Sequence, residues 1–212
     1  MCREDKAMGL RQKLVRQFGN PRGVVGKIAG FIMSHRTSNR ERIRWAVSLL
    51  EVRTSDHVLE TGFGPGIAIQ ILSSLASDGV VYGIDHSPLM VRQASRLNRS
   101  SVGTGHVKLM AASVSQLPSF GNKLDKVLDV NSFQFWPDPL SVLQRVKESL
   151  RPGGLIAIAH QPRSRGATQK DAIQAATRIA EKLTASGFEG VHTEVRVMKP
   201  VPTVCVMARR PA

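Results

Sequence analysis

The stretch Val58-Leu59-Glu60-Thr61-Gly62-Phe63-Gly64-Pro65-Gly66 constrains the fold more than any other, because an apolar run ends in an acid and breaks into three alternating glycines. This is the pattern of a buried strand running into a turn that cradles a ligand. Glycine reaches backbone angles closed to other residues and leaves room for a ligand to lie against the main chain.

Spacing narrows the ligand. A dinucleotide fingerprint places a third glycine where helix and strand pack closely, and that position here is Ile67. The turn reads instead as Glu60-x-Gly62-x-Gly64-x-Gly66, whose acid is a poor neighbour for a pyrophosphate and a good one for a cation. No Gly-Lys-Ser or Gly-Lys-Thr follows to hold phosphate and magnesium, which argues against a P-loop. A second strand, Gly79-Val80-Val81-Tyr82-Gly83-Ile84-Asp85, ends in another carboxylate 19 residues after Gly66. Asp85 is placed to accept both hydroxyls of a ribose. In open parallel sheets ligands sit beyond the carboxyl ends of the strands, so Glu60 and Asp85 are expected to face one crevice.

Further landmarks follow in order: Asp85-His86-Ser87-Pro88-Leu89-Met90, Ala111-Ala112-Ser113-Val114-Ser115-Gln116-Leu117-Pro118, Lys126-Val127-Leu128-Asp129-Val130-Asn131-Ser132 and Leu150-Arg151-Pro152-Gly153-Gly154-Leu155. With the glycine turn, these resemble the motifs of the class I (Rossmann-like) S-adenosylmethionine-dependent methyltransferases, from about Arg40 to the C-terminus. The resemblance implies an α/β fold: a doubly wound, mostly parallel seven-stranded sheet with an antiparallel C-terminal strand and an N-terminal helical lid. It also implies S-adenosylmethionine as methyl donor, bound by Glu60, Gly62, Gly64, Gly66, Asp85, His86, Ser113, Val114 and Asn131. Ser113 departs from the acid that many members use for the adenine amino group, which points to base recognition through backbone groups. Thr61 stands where an aliphatic residue is common, and a local side-chain to backbone hydrogen bond is expected of it.

Periodicity places strands near 57–61, 80–84, 107–111, 125–130 and 154–159, with helices between them, the arrangement of a parallel sheet covered on both faces. A helix near 38–51 would turn Ile43, Val47 and Leu50 inward, and a last helix near 168–186 precedes a strand pair at 190–198 and 202–209. The chain has 212 residues, 42% of them hydrophobic, enough for one sizeable core. One methyltransferase domain over 37–212 is expected, with a basic helical arm or lid over 1–36.

Net charge is +14, and residues 1–40 hold nine Lys or Arg against Glu4 and Asp5. Such an arm suits nucleic acid, anionic lipid or an acidic substrate, or is simply solvated. Within it, Gly23 to Met33 forms an apolar segment with Val24, Ile28 and Ile32 spaced by four, shorter than the roughly 20 residues that cross a bilayer. It can lie on a membrane surface, pack on the domain or close over the donor. The family resemblance favours the lid, which makes Phe31, Met33 and His35 candidates for the substrate wall. Cys2 and Cys205 lack partners at metal-ligand spacing, and His35, His57, His106 and His192 show no mutual spacing, so neither metal nor disulfide is expected. The first 22 residues lack a signal-peptide pattern, and a reducing cytoplasm is the expected compartment.

Methyl transfer from a sulfonium demands mainly alignment, and positioning supplies roughly 7–11 kcal/mol of a barrier. A weakly acidic hydroxyl would also need a base, most often His. His160, after the fifth strand, is the candidate general base. Phe133, Gln134 and Trp136, after the fourth, are candidates for substrate contact, with Phe133 favoured as lining and Phe135 as a loop anchor. No Asn-Pro-Pro-Tyr motif begins at Asn131, which weakens a nucleic-acid base as acceptor. The expected activity is methylation of a small apolar or aromatic molecule at O, N or S. An RNA or lipid methyltransferase using the basic arm, and a non-catalytic donor-binding module, are the alternatives.

Overall fold

A computed structural model describes residues 37–212. The arm expected over 1–36, including Phe31, Met33 and His35, lies outside the described residues.

Seven strands form one sheet in the order β3-β2-β1-β4-β5-β7-β6. They are β1 (His57–Thr61), β2 (Val80–Asp85), β3 (Val107–Ala111), β4 (Leu124–Val130), β5 (Leu150–His160), β6 (Glu189–Arg196) and β7 (Thr203–Arg209). The neighbours among β1 to β5 pair in parallel, and β7 runs antiparallel to both β5 and β6. The expected terminal pair is therefore present, with β7 inserted beside β5 and β6 forming the edge.

Side chains alternate along the strands, which explains why the strands read as continuous apolar runs: both faces are covered. Val58, Val81, Leu128 and Ala157 pack on one face with Ile43, Val47, Ile69, Leu72 and Met90. These partners come from α1 (Thr37–Leu49), α2 (Ile67–Leu75) and α3 (Pro88–Leu97). Leu59, Tyr82, Val127 and Ile156 pack on the other face with Val142, Val146, Ala176, Ile179 and Leu183. A short α4 (Arg99–Gly103) follows α3, and that second face is covered by α5 (Pro139–Ser149) and α6 (Gln169–Ala185). Two N-caps are written locally: Asp138 accepts from Ser141 N ahead of Pro139, and Thr168 with Asp171 forms a capping box at α6.

The expected fifth strand begins four residues early. The turn read at Leu150 to Gly154 is part of β5, because Leu150 pairs with Leu124 and Gly153 and Gly154 exchange hydrogen bonds with Arg210 at 3.0 and 2.9 Å. The topology matters more for the site. From β1 the connections run outward to β2 and β3, then return to β4 and β5, so the crevice opens at the β1/β4 boundary.

Candidate active site

The glycine turn closes on that boundary. Gly62, Gly64 and Gly66 have φ of 65°, 53° and 87°, the left-handed region that side chains disfavour. Gly62 is also a packing requirement, since a Cβ there would stand 2.4 Å from Ser132 Cβ, and one at Gly66 would stand 2.6 Å from Ala94 Cβ. Gly64 differs: nothing lies within 4 Å of its Cβ position, and its backbone faces a cavity.

Two acids flank the turn. Asp85, 7% exposed, accepts from Gly64 N and Ser87 N, each at 2.9 Å, which ties the second strand end to the turn. Burial raises its carboxyl above the ordinary carboxylate value, opposed by those two hydrogen bonds and by His86. Glu60 is 3% exposed, and its Oε2 is buried with no hydrogen-bond partner among the described residues. Burial pushes its carboxyl well above the usual range, Asp129 and Asp85 push the same way, and the backbone N–H of Ile69 in the first turn of α2 pulls against them. A buried carboxylate with an orphaned oxygen, facing a cavity beside a second acid, suits a cationic ligand. S-adenosylmethionine, with its sulfonium, ammonium and ribose diol, fits this donor set.

The acid at the third vertex was not singled out by sequence. Asp129, at the end of β4 and fully buried, accepts from Thr61 Oγ1 at 2.9 Å, Ser132 N at 3.0 Å and Phe133 N at 2.9 Å, and also from Ser132 Oγ. Thr61 thus does not make the local bond expected of it. Its hydroxyl crosses to a strand 68 residues away, because β1 and β4 are neighbours.

Asn131 takes φ 59° and turns the chain back over the sheet edge. Its Oδ1 accepts from Gln161 N at 2.8 Å and its Nδ2 donates to Gln161 O at 3.3 Å, so the side-chain amide continues the β4/β5 ladder while lining the cavity. Ser113 and Val114 also line it; the Ser113 hydroxyl accepts from Ser115 N at 3.2 Å as the cap of a short 3-10 turn. His86, about half exposed, lies 3.8 Å from Asp85 on the same wall.

The segment after β4 corrects one expectation. Phe133 is not part of the cavity wall: its ring packs 4.8 Å from that of Trp136, which is 6% exposed. Phe135, expected as an anchor, is 52% exposed and lines the cavity, as do Gln134 and Trp136. In a 3-10 turn successive side chains point about a third of a turn apart, so residues two apart face different ways.

His160 and Gln134 meet on this wall. Gln134 Nε2 donates to Asn131 O at 2.8 Å, which leaves its Oε1 to accept from His160 Nδ1 at 3.1 Å. The imidazole is thereby held as the Nδ1–H tautomer with Nε2 as acceptor. Burial lowers its pKa to about 4, aided by Arg42 and Arg178, so it is neutral at physiological pH.

Arg42 was also missed. It is 2% exposed on α1 and lines the cavity; Nη1 donates to Gln161 Oε1 at 2.7 Å, Nη2 donates to Asn39 Oδ1, and Nε is buried without a partner among the described residues. Burial and then Arg163 bring its pKa down to about 9. The available signal was a cation on the inward stripe of Ile43, Ala46, Val47 and Leu50. Among the described residues no cluster of His, Cys, Asp and Glu could hold a metal, and no helix is long and apolar enough to cross a membrane.

A glycine turn between buried acids at the switch point of a doubly wound sheet defines an α/β protein that binds a positively charged nucleoside. Comparison with known proteins gives the family. A family model described as a methyltransferase domain matches residues 58–154. The uncharacterized methyltransferase YdaC of Bacillus subtilis (strain 168) is 31% identical over 185 residues, 87% of this chain and 99% of that protein. Aklanonic acid methyltransferase DauC of Streptomyces sp. (strain C5) is 32% identical over 116 residues, and the match spans 54% of this chain and about half, 52%, of that protein. Among solved structures, N-methyltransferase NodS from Bradyrhizobium japonicum WM9 in complex with S-adenosyl-L-homocysteine shares the fold with a TM-score of 0.69 at 15% identity, covering 95% of this chain and 98% of that one. The chain belongs to the class I S-adenosylmethionine-dependent methyltransferases and is an enzyme of that family.

Proposed function

We propose that the enzyme methylates a small apolar or aromatic molecule held over β4 and β5. The observation that carries this reading is the cavity itself. It measures about 1100 Å³ and joins the acids of β1 and β2 to Phe135, Gln134 and His160, somewhat larger than the roughly 300–1,000 Å³ of ordinary small-molecule pockets. That volume suits a donor and a small acceptor together. The relative DauC is named for a small organic acid, which supports the same class.

The donor supplies an activated methyl group, whose carbon bonds to the acceptor lone pair while sulfur keeps the electrons of the broken bond. The chain supplies binding and alignment. In this reading Glu60 offers its buried oxygen to positive charge, Asp85 accepts the ribose hydroxyls, Ser113 and Val114 border the base, and Arg42 pairs with the amino-acid carboxylate. His160 receives a hydrogen bond from the acceptor through Nε2. A conjugate acid near 4 makes it a weak base, suited to orienting a nucleophile that sheds its proton readily.

Asp85→Ala is expected to weaken S-adenosylhomocysteine binding by about 1.5–3 kcal/mol, the worth of charge-assisted hydrogen bonds. Calorimetric titration checks this, and unchanged affinity would remove the ribose assignment. Transfer from labelled donor to phenols, amines and thiols, run beside bulk RNA, tests the acceptor class. Turnover on RNA alone, with binding that collapses as salt rises, would replace the small-molecule reading.

A further inference from the structure

Gln161, the first residue past β5, is 1% exposed and joins α1 to the loop between β6 and β7. Its side-chain Nε2 donates to Val201 O at 2.8 Å and to Lys199 O at 3.3 Å, both in that loop. Both amide hydrogens are thereby spent on carbonyls, so the amide cannot turn over without setting its oxygen against them. Oε1 is left facing α1, where it accepts from Arg42 Nη1 at 2.7 Å.

Arg42 is buried, and its fork rests on two neutral amide oxygens, Gln161 Oε1 and Asn39 Oδ1. Among the described residues no carboxylate lies within ion-pair distance of it. A buried charge is costly unless it is paired. Amide partners fix the place of the guanidinium and leave its charge uncancelled, on a residue that lines the same cavity as Glu60 and Asp85.

We propose that Gln161 positions Arg42 for the carboxylate of S-adenosylmethionine, acting as a neutral acceptor that the β6–β7 loop holds in place. This rests on the donor reading above, in which that carboxylate pairs with Arg42. Arginine is a long, flexible side chain, and a fork already anchored loses less freedom when its ligand arrives. A glutamate at 161 would hold the fork and cancel the charge that the donor needs. The β6–β7 loop thus sets affinity for the amino-acid end of the donor, although none of residues 197–202 lines the cavity.

The test titrates two probes into the full chain by calorimetry: S-adenosylhomocysteine, which carries the carboxylate, and 5′-methylthioadenosine, which lacks the amino-acid end. Gln161→Met keeps the length of the side chain and removes its polar atoms. It is expected to weaken S-adenosylhomocysteine binding about tenfold and 5′-methylthioadenosine binding by less than about twofold. Gln161→Glu, which keeps an acceptor for Arg42 and cancels its charge, should lose S-adenosylhomocysteine with the same selectivity. Arg42→Met should show that selectivity with a larger loss, and adding Gln161→Met to it should cost no further affinity, because the amide acts through the guanidinium. Equal losses of both probes in the two Gln161 variants, or no loss, would make Gln161 a structural residue and overturn the proposal. Additive losses in the double variant would also overturn it, by placing Gln161 itself against the ligand. In each of these cases a selective loss in Arg42→Met leaves the donor reading standing. An unselective Arg42→Met overturns that reading at Arg42 and the proposal with it.

Discussion

Glu60→Gln is expected to make the ligand-free protein more stable while costing it much of its affinity for S-adenosylmethionine. The carboxyl is 3% exposed with one oxygen unpartnered among the described residues, and Asp129 and Asp85 stand near enough to oppose its ionisation. Because its folded pKa is raised above the unfolded one, the group's favourable contribution is complete below the unfolded pKa and is lost as pH rises through the folded value. At neutral pH the amide removes that loss. The amide is as unpartnered as the carboxyl oxygen it replaces but carries no charge beside Asp129 and Asp85, and a gain of about 1–3 kcal/mol raises the melting temperature by about 2–12 °C for a chain of this size. The donor experiences the reverse. A cation favours the ionised carboxylate, and losing that charge-assisted contact should weaken binding by about 1.5–3 kcal/mol, roughly tenfold to more than a hundredfold. Wild-type affinity should also rise with pH as Glu60 ionises, and the variant's pH profile should be flatter. Thermal melts with and without donor, and calorimetry across pH, read both arms. A destabilised variant with unchanged donor affinity would assign Glu60 a purely structural role.

What could be read from the chain alone was local. The glycine turn and its two acids fall within Glu60 to Asp85, where strand period, turn chemistry and spacing act over a few residues, and the sheet follows from apolar runs of the right length. The residues that escaped notice act over long distances. Asp129 is a partner of Thr61 only because β4 pairs with β1, and Arg42 is a cavity residue because α1 folds back to reach Gln161, 119 residues on. Phe133 and Phe135 were misplaced for another reason. Both are aromatic and two apart, and which one faces the cavity depends on a 3-10 turn that Asp129 holds through Phe133 N. Composition sees two equivalent rings, whereas the hydrogen bond makes them inequivalent.

Asp129→Ala tests that dependence and should be the most damaging substitution in the site. The carboxylate is fully buried, and its removal takes the acceptor from the backbone N–H groups of Ser132 and Phe133. The two hydroxyls fare better, since Ser132 Oγ keeps Thr61 O at 3.1 Å and Thr61 Oγ1 keeps a longer contact to Leu128 O at 3.4 Å. Two orphaned donors at about 1–3 kcal/mol each give an expected loss of about 2–6 kcal/mol, a large share of the roughly 5–15 kcal/mol that holds a typical domain folded. Urea unfolding should show the midpoint falling at constant slope. Function should fail with stability, because Ser132 fills the space against Gly62 that any Cβ would occupy. Displacing it loosens the glycine turn from the far side. Asp129→Asn separates the two effects. Burial raises the pKa of the native carboxyl despite its hydrogen bonds, so a neutral isostere escapes the burial cost and keeps one acceptor oxygen. It should lose less stability than alanine while turning an N–H₂ towards donors on the turn. Donor affinity in Asp129→Asn should therefore fall further than its stability does. Equal stability of Asp129→Ala and wild type would show that β1 and β4 hold the turn without this carboxylate.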